Sequence, residues 1–285
     1  MDQPMPDMNQ HPNAPSTTTA SSKKESRNSS SAPVSSPSGV AEPVRKVHTI
    51  LAPKGGCGKT FVASLIAQAL QERGEPVVCF DTDRENASLR DIPALKAEPV
   101  SLFLPNSDEI DVHAMDGMTE RMLSEDSNFV LDNGATSFAP LSRYLVQDGI
   151  ADAVAEGGKK MVIHTIIAGG QELVQTGRGF DSVASQFPAS ADMVLWLNEH
   201  HGPVDGTDGS SFEQTPLYQK HKGRILAVIR LVRQHPGTFG ANLADMLKQG
   251  LTFAEADQSS AFFVIAKQRL RQVWRPIRDQ LALVL

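Results

Sequence analysis

Lys54-Gly55-Gly56-Cys57-Gly58-Lys59-Thr60 lies between an apolar, β-branched run, Val47 to Ala52, and a helical pattern that opens at Phe61. A strand, a glycine loop and a helix start in that order make a cradle for a polyphosphate. The glycines let backbone N–H groups turn inward, Lys59 supplies a point charge for the β- and γ-phosphates, and Thr60 offers a hydroxyl to Mg²⁺. Gly55, Gly56, Cys57, Gly58, Lys59 and Thr60 are therefore candidate nucleotide contacts. The general form of this loop, G-x-x-x-x-G-K-[ST], opens with a glycine. Here that position is Pro53, and a second lysine, Lys54, follows it.

Working outward, Phe61, Val62, Leu65, Ile66, Ala69 and Leu70 fall at helical spacing, and Gly74 with Pro76 closes that helix. Val77-Val78-Cys79-Phe80 is a short buried strand that runs into Asp81-Thr82-Asp83. Strand, helix, strand is a βαβ unit with parallel strands. Further strands are expected at Val100–Leu104, Asn128–Leu131, Met161–Ile167, Met193–Leu197 and Arg224–Leu231. Helices are expected at Met115–Leu123, in one or two pieces over Phe138–Ala155, and at Gln171–Phe187, Asn242–Lys248 and Ser259–Leu283. This alternation predicts one α/β domain of the P-loop NTPase type over 46–285, its mostly parallel sheet covered by helices on both faces. Residues 1–45 are rich in Ser, Thr, Pro and Asn with hardly an aliphatic cluster, which predicts a disordered tail.

Composition narrows the function classes. Two cysteines among 285 residues, Cys57 in the loop and Cys79 on a strand, cannot make a disulfide framework, and both read as reduced thiols. No secretory leader pattern and no apolar run of membrane-spanning length is seen, so a cytoplasmic protein without a transmembrane segment is expected. A net charge of −6 means that any nucleic-acid contact must come from a local patch.

In an open parallel sheet, ligands sit beyond the carboxyl ends of the strands. Asp81, Asp83, Asp132 and Asn198 all lie at or just past strand ends and should gather beside the glycine loop. Mg²⁺ on a triphosphate takes oxygen ligands and keeps several waters. Thr60 fits direct coordination, Asp132 fits a carboxylate holding one of those waters, and Asp81 fits a related role. Asp83 has left its strand and fits the orientation of an attacking water. Alternatively, Asp81 or Asp83 caps the turn that follows.

The lysine-first loop resembles that of the ParA/MinD group of dimerising ATPases. Asp81-Thr82-Asp83 with Asn86-Ala87-Ser88, Asp132-Asn133-Gly134-Ala135-Thr136-Ser137-Phe138, Gln186-Phe187-Pro188, Trp196-Leu197-Asn198 and Gly202-Pro203 make the resemblance more specific. Over nearly all of Lys46–Leu285 the chain looks like the TraL-type proteins of conjugative plasmids. That resemblance implies ATP and Mg²⁺ as cofactors, an ATP-dependent homodimer, slow hydrolysis, and partners among conjugation or plasmid-maintenance proteins. It implies catalytic roles for Lys59, for Asp83 on the water and for Lys54, which would reach the partner's phosphates. Asp132 would begin the second switch, and Asn198 resembles the position that recognises adenine, with a strand-end cap as the alternative. Arg84 stands where the ParA first switch carries proline, and no proline pair follows Asp132.

Three other features are weaker. Glu199-His200-His201 lacks the spacing of a metal site and reads as a polar loop. Lys267, Arg271, Arg275 and Arg278 make one cationic stripe, which reads as a solvated helix face or as a non-specific DNA contact. The apolar ending Leu281 to Leu285 either meets a membrane or docks on the core. Two rival functions stay open. A P-loop metabolic enzyme is one, although its iron–sulfur form needs cysteines that Cys57 and Cys79 do not supply. The other is a non-catalytic scaffold, stabilised by nucleotide, that binds DNA or a transfer protein.

Overall fold

The computed structural model describes residues 44–84 and 88–285. Its apolar runs and helical patterns become, in chain order, β1 (Lys46–Ile50), α1 (Lys59–Glu72), β2 (Val77–Asp81), β3 (Glu98–Pro99), α2 (Val112–Ser124), β4 (Asn128–Asp132), α3 (Phe138–Gln147), α4 (Ile150–Glu156), β5 (Lys160–Ala168), α5 (Leu173–Gln186), β6 (Asp192–Asn198), α6 (Pro216–His221), β7 (Ile225–Leu231), α7 (Ala241–Lys248), α8 (Phe253–Gln258) and α9 (Val264–Leu281). The strands form a sheet in the order β3-β2-β4-β1-β5-β6-β7, and every pairing between them is parallel. Parallel neighbours need crossover connections, and the helices that make them cover both faces.

Successive strand residues point to opposite faces, so two apolar cores form. On one face Ile50, Val130, Val162 and Trp196 pack with Ile66 and Leu70 of α1, and with Phe253, Leu270 and Trp274 from α8 and α9. On the other face Val47, Phe129, Leu131 and Leu195 pack with Met118, Leu141 and Phe180 from α2, α3 and α5. Leu281 and Val284 are buried in the first core, and the Lys46 ammonium donates to the Val284 carbonyl at 2.6 Å. The apolar ending therefore docks on the domain.

Several boundaries differ from the sequence expectations. The third strand is two residues at Glu98–Pro99 rather than Val100–Leu104: β3 is an edge strand whose Pro99 nitrogen faces away from the sheet, and its pairing ends where the Val100 N–H donates to the carbonyl of Asp81, the last residue of β2, at 2.9 Å. Leu102 and Phe103 are still buried, and Phe103 makes an isolated antiparallel bridge with Ile110. The segment Phe138–Ala155 is two helices, parted where Gly149 adopts φ 65°. The last helix begins at Val264 rather than Ser259, and α8 precedes it, started by a capping box in which Thr252 and Glu255 exchange hydrogen bonds. The expected disordered tail falls, up to residue 43, outside the described residues, as do Glu85, Asn86 and Ala87.

A polar chain runs through the first core. The Trp196 indole Nε1–H donates to His164 Nδ1 at 3.0 Å, and His164 Nε2 lies 2.9 Å from His48 Nδ1. An indole N–H can only donate, so neutral His164 carries its proton on Nε2 and passes a hydrogen bond to His48 Nδ1. His48 then carries its proton on Nε2, which has no partner among the described residues. Burial pushes the His48 imidazole down to about 3 and holds His164 well below the usual range.

Candidate functional site

Strand register brings the carboxylates together. Asp132, the last residue of β4, pairs with Ile50 at the end of β1 on one side and with Asp81 at the end of β2 on the other. The glycine loop leaves the carboxyl end of β1 and returns as α1. Gly56 and Gly58 have φ 75° and 102°, a left-handed backbone that glycine adopts without a Cβ penalty. Gly58 is the N-cap of α1 and contributes no side-chain cap, and no acidic residue stands in the first helical turn. The first amides of α1 and the positive end of its dipole are thus directed at an incoming anion.

Lys59 is buried, and its ammonium donates to the Lys54 carbonyl at 3.0 Å, curled over the loop. Cys57 places its side chain in the core, where burial pushes the thiol up, so its backbone is the part available to a ligand. Neither oxygen of Asp132 makes a well-formed hydrogen bond among the described residues. Burial raises its carboxyl to about 7; Asp81 pushes the same way, while the nearby Thr60 hydroxyl and the Lys59 charge offset part of the effect. Thr60 stands close enough to bias this carboxylate without completing good hydrogen-bond geometry. A buried, unpartnered carboxylate beside a threonine hydroxyl and a lysine is a donor set that suits a hard cation, so the residues fit Mg²⁺.

Asp81 accepts from the Asp83 N–H at 3.1 Å, and Arg90 lies 3.5 Å from its other oxygen. Burial raises the Asp81 carboxyl and Arg90 counters it. Asp83 lies against the loop after β4, since a Cβ added to Gly134 would sit 2.9 Å from the Asp83 carboxyl. Thr82 fastens the two loops: its N–H donates to the Asp132 carbonyl at 2.9 Å and its hydroxyl to Asn133 Oδ1 at 3.1 Å, while the Ser137 hydroxyl donates to the Thr82 carbonyl at 3.2 Å.

Asn198 reaches back to the glycine loop. Its Nδ2 donates to the Cys57 carbonyl at 3.0 Å, while its Oδ1 accepts from the His200 N–H at 3.1 Å. The Asn198 amide therefore braces the loop. Beside it opens a cavity of about 500 Å³ whose walls include Gly58, Phe61, Asn198, Leu231 and Pro236. The His201 ring meets the Gly56 carbonyl at 3.2 Å, so the polar Glu199-His200-His201 loop forms part of this wall.

Lys54 lies 3.4 Å from Glu172, just before α5. Pro53 packs on α5 itself, where a Cβ at Gly179 would stand 2.5 Å from Pro53 Cδ. The sequence expectations thus converge on one sheet edge: the loop residues, Asp81, Asp83, Asp132 and Asn198 all lie there. Glu172, Arg90, Gly134 and the wall after β7 were not foreseen as site residues. Gly134 carried a signal in the run Asp132–Phe138, but Glu172 and Arg90 carried none that spacing reveals.

A glycine loop at a helix start, with carboxylates on adjoining strand ends, defines a nucleotide-binding P-loop domain, and residues 48–272 match the family model described as the CobQ/CobB/MinD/ParA nucleotide binding domain. Two relatives described as "Protein TraL", both from Escherichia coli, are 38% and 37% identical over 236 residues, covering 83% of this chain and 97% of each relative. The chain belongs to the CobQ/CobB/MinD/ParA nucleotide-binding family and, within it, to the TraL proteins. Among solved structures, the MinC:MinD cell division complex of Aquifex aeolicus aligns at 17% identity and TM-score 0.48, over 81% of this chain and 94% of that one. MinD with Mg-ADP from Pyrococcus horikoshii aligns at 17% identity and TM-score 0.41, over 84% and 97%.

Proposed function

We propose that this protein is an ATP-binding, slowly hydrolysing ATPase that dimerises on nucleotide and acts in plasmid conjugative transfer or maintenance. The observation that carries the reading is Asp132: a carboxylate buried without a hydrogen-bond partner, one strand from the glycine loop and beside Thr60 and Lys59. Such a group is costly to bury unless its site is completed by a cation.

In this reading the amides of Gly55 to Gly58 and the Lys59 ammonium hold the phosphates, and Thr60 and Asp132 hold Mg²⁺, with Asp81 supporting its water shell. The cation would supply charge neutralisation at the β- and γ-oxygens. Asp83 orients the attacking water, and its contact with Gly134 links the two loops that flank the γ-phosphate position. The apolar cavity beside Asn198 suits a nucleobase, with Asn198 fixing the loop against it. Lys54 has a third of its side chain exposed and is held by Glu172 of its own chain. To serve a partner's phosphates it exchanges that carboxylate for the nucleotide.

Multiple-turnover phosphate release, with and without duplex DNA, tests the reading. Lys54→Ala is expected to lower the rate by about 10³, as for cationic groups supplied in trans, and Asp83→Ala to abolish turnover while nucleotide still binds. Full activity in Lys54→Ala would remove the role in trans. No turnover in the unaltered protein under any condition would favour the nucleotide-stabilised scaffold.

A further inference from the structure

The loop that carries Asp83 is tied on both sides of that residue. On the amino side Thr82 is bonded to the Asp132 carbonyl and to Asn133, and the Asp83 N–H donates to Asp81. On the carboxyl side the next described anchor is the side chain of Arg84, which grasps a different segment. Its Nη1 donates to the Ser107 carbonyl at 2.8 Å, its Nη2 donates to the Asp108 carboxylate at 3.0 Å, and its Cζ stands 5.1 Å from the centre of the Phe103 ring. The receiving segment, residues 102–111, is a short hairpin fixed to the domain. Phe103 bridges Ile110, the Leu104 N–H donates to the Glu109 carbonyl at 2.9 Å, and the Asp111 N–H donates to the Leu102 carbonyl at 3.0 Å. Leu102 and Phe103 are buried, and Asp111 caps α2 by accepting from the Ala114 N–H. Between this hairpin and the residues after β4 an open cleft of about 500 Å³ runs from Arg84 to Thr136 and Arg143, so packing does not fill the space beside the Asp83 loop.

We infer that Arg84 is a positioning residue for hydrolysis: it fixes the loop to the hairpin and so holds the Asp83 carboxylate where a water is to be oriented. The inference rests on the role proposed above for Asp83. Arg84 and Asp108 are 50% and 93% exposed, and an exposed ion pair adds little to stability. Contacts to a carbonyl, a carboxylate and a ring from one planar group do fix a direction, and a lysine ammonium has no fork to match them. Proline, which the ParA first switch carries here, would stiffen the chain through its ring. Arginine stiffens it only through what its side chain grasps. Since the guanidinium is engaged at the hairpin, Arg84 acts through its neighbour Asp83, and its effect belongs in the rate.

Steady-state phosphate release, nucleotide binding and amide hydrogen exchange on the full chain test the inference. Arg84→Ala is expected to lower kcat by about tenfold to a hundredfold, the scale of an ångström-sized displacement. Its nucleotide Kd should stay within about twofold and its thermal unfolding unchanged, because the glycine loop is untouched and the side chain is half-exposed. Arg84→Lys should leave most of the loss in place. Asp108→Ala is expected to lower kcat by about threefold, and Arg84→Ala/Asp108→Ala no further than Arg84→Ala alone, since both remove one contact. Exchange at the Asp83 and Leu104 amides should quicken in Arg84→Ala, a readout that needs no turnover. An unaltered kcat in Arg84→Ala, full recovery with lysine, or a rise in Kd that matches the fall in rate would overturn the inference. No turnover in the unaltered protein would contradict the proposed hydrolysis itself. The exchange measurement then judges the anchor alone: faster exchange in Arg84→Ala supports it, and unchanged exchange overturns it.

Discussion

Gly134 shows how much of the site depends on a single missing atom. A Cβ there would meet the Asp83 carboxyl at 2.9 Å and the Asp83 Cα at 3.1 Å, so the loop after β2 would have to shift. Gly134→Ala is expected to lower turnover by about tenfold to a hundredfold, the scale of an ångström-sized displacement of a catalytic group, while the nucleotide Kd stays within about twofold because the glycine loop is untouched. Parallel phosphate-release and binding measurements check this. The His48–His164 pair makes a different prediction, about stability. Both imidazoles are held neutral by burial, with His48 pushed down to about 3 against an ordinary value of 6.5. The unfolded chain takes up protons below about 6.5 that the folded chain refuses. This stabilisation is full above about pH 6.5 and is lost as pH falls towards about 3, by an amount on the order of a few kcal/mol. Thermal unfolding across that range should show an acid limb, and His48→Leu/His164→Leu should flatten it while leaving the Trp196 N–H without its acceptor.

At the scale of elements, β6 and α5 position the glycine loop from behind. Asn198 at the end of β6 holds the Cys57 carbonyl, and Gly179 in α5 lets Pro53 approach closely. Asn198→Ala removes one hydrogen bond to the loop and is expected to raise the nucleotide Kd by about tenfold, the equivalent of a bond worth ~1 kcal/mol or slightly more; titration calorimetry reads it directly. Pro53, which replaces the usual first glycine, is thus explained by its neighbour in α5 rather than by anything local. The same contrast marks how far the sequence was legible. The loop, the βαβ order and the strand-end carboxylates could be read because periodicity and strand-end position are local properties, and parallel pairing then gathers Asp81, Asp132 and Asn198 at one edge. Glu172 beside Lys54 and Arg90 beside Asp81 could not be read, because each pair is made by packing of segments distant or irregular in sequence. Elements α6 and α8 were missed although Thr215-Pro216 and the Thr252–Glu255 capping box announce them. Both are six residues long and carry too little apolar periodicity to stand out.

At the scale of the whole molecule, one domain carries a parallel sheet with a nucleotide edge, and its last helix is fastened to its first. The Trp274 indole donates to Glu72 of α1 at 2.7 Å and stacks on Phe253 with ring centroids 5.0 Å apart. Among the described residues no helix is long and apolar enough to cross a membrane. Lys54 is the residue expected to turn nucleotide binding into assembly: held by Glu172 in the single chain, it would engage the nucleotide of a second copy. The mass of the protein in solution, measured with ADP, with ATP and with a slowly hydrolysed analogue, tests that claim most directly. A monomer with ADP and a dimer with the analogue, the dimer lost in Lys54→Ala, is the predicted result. A monomer in every nucleotide state would contradict it.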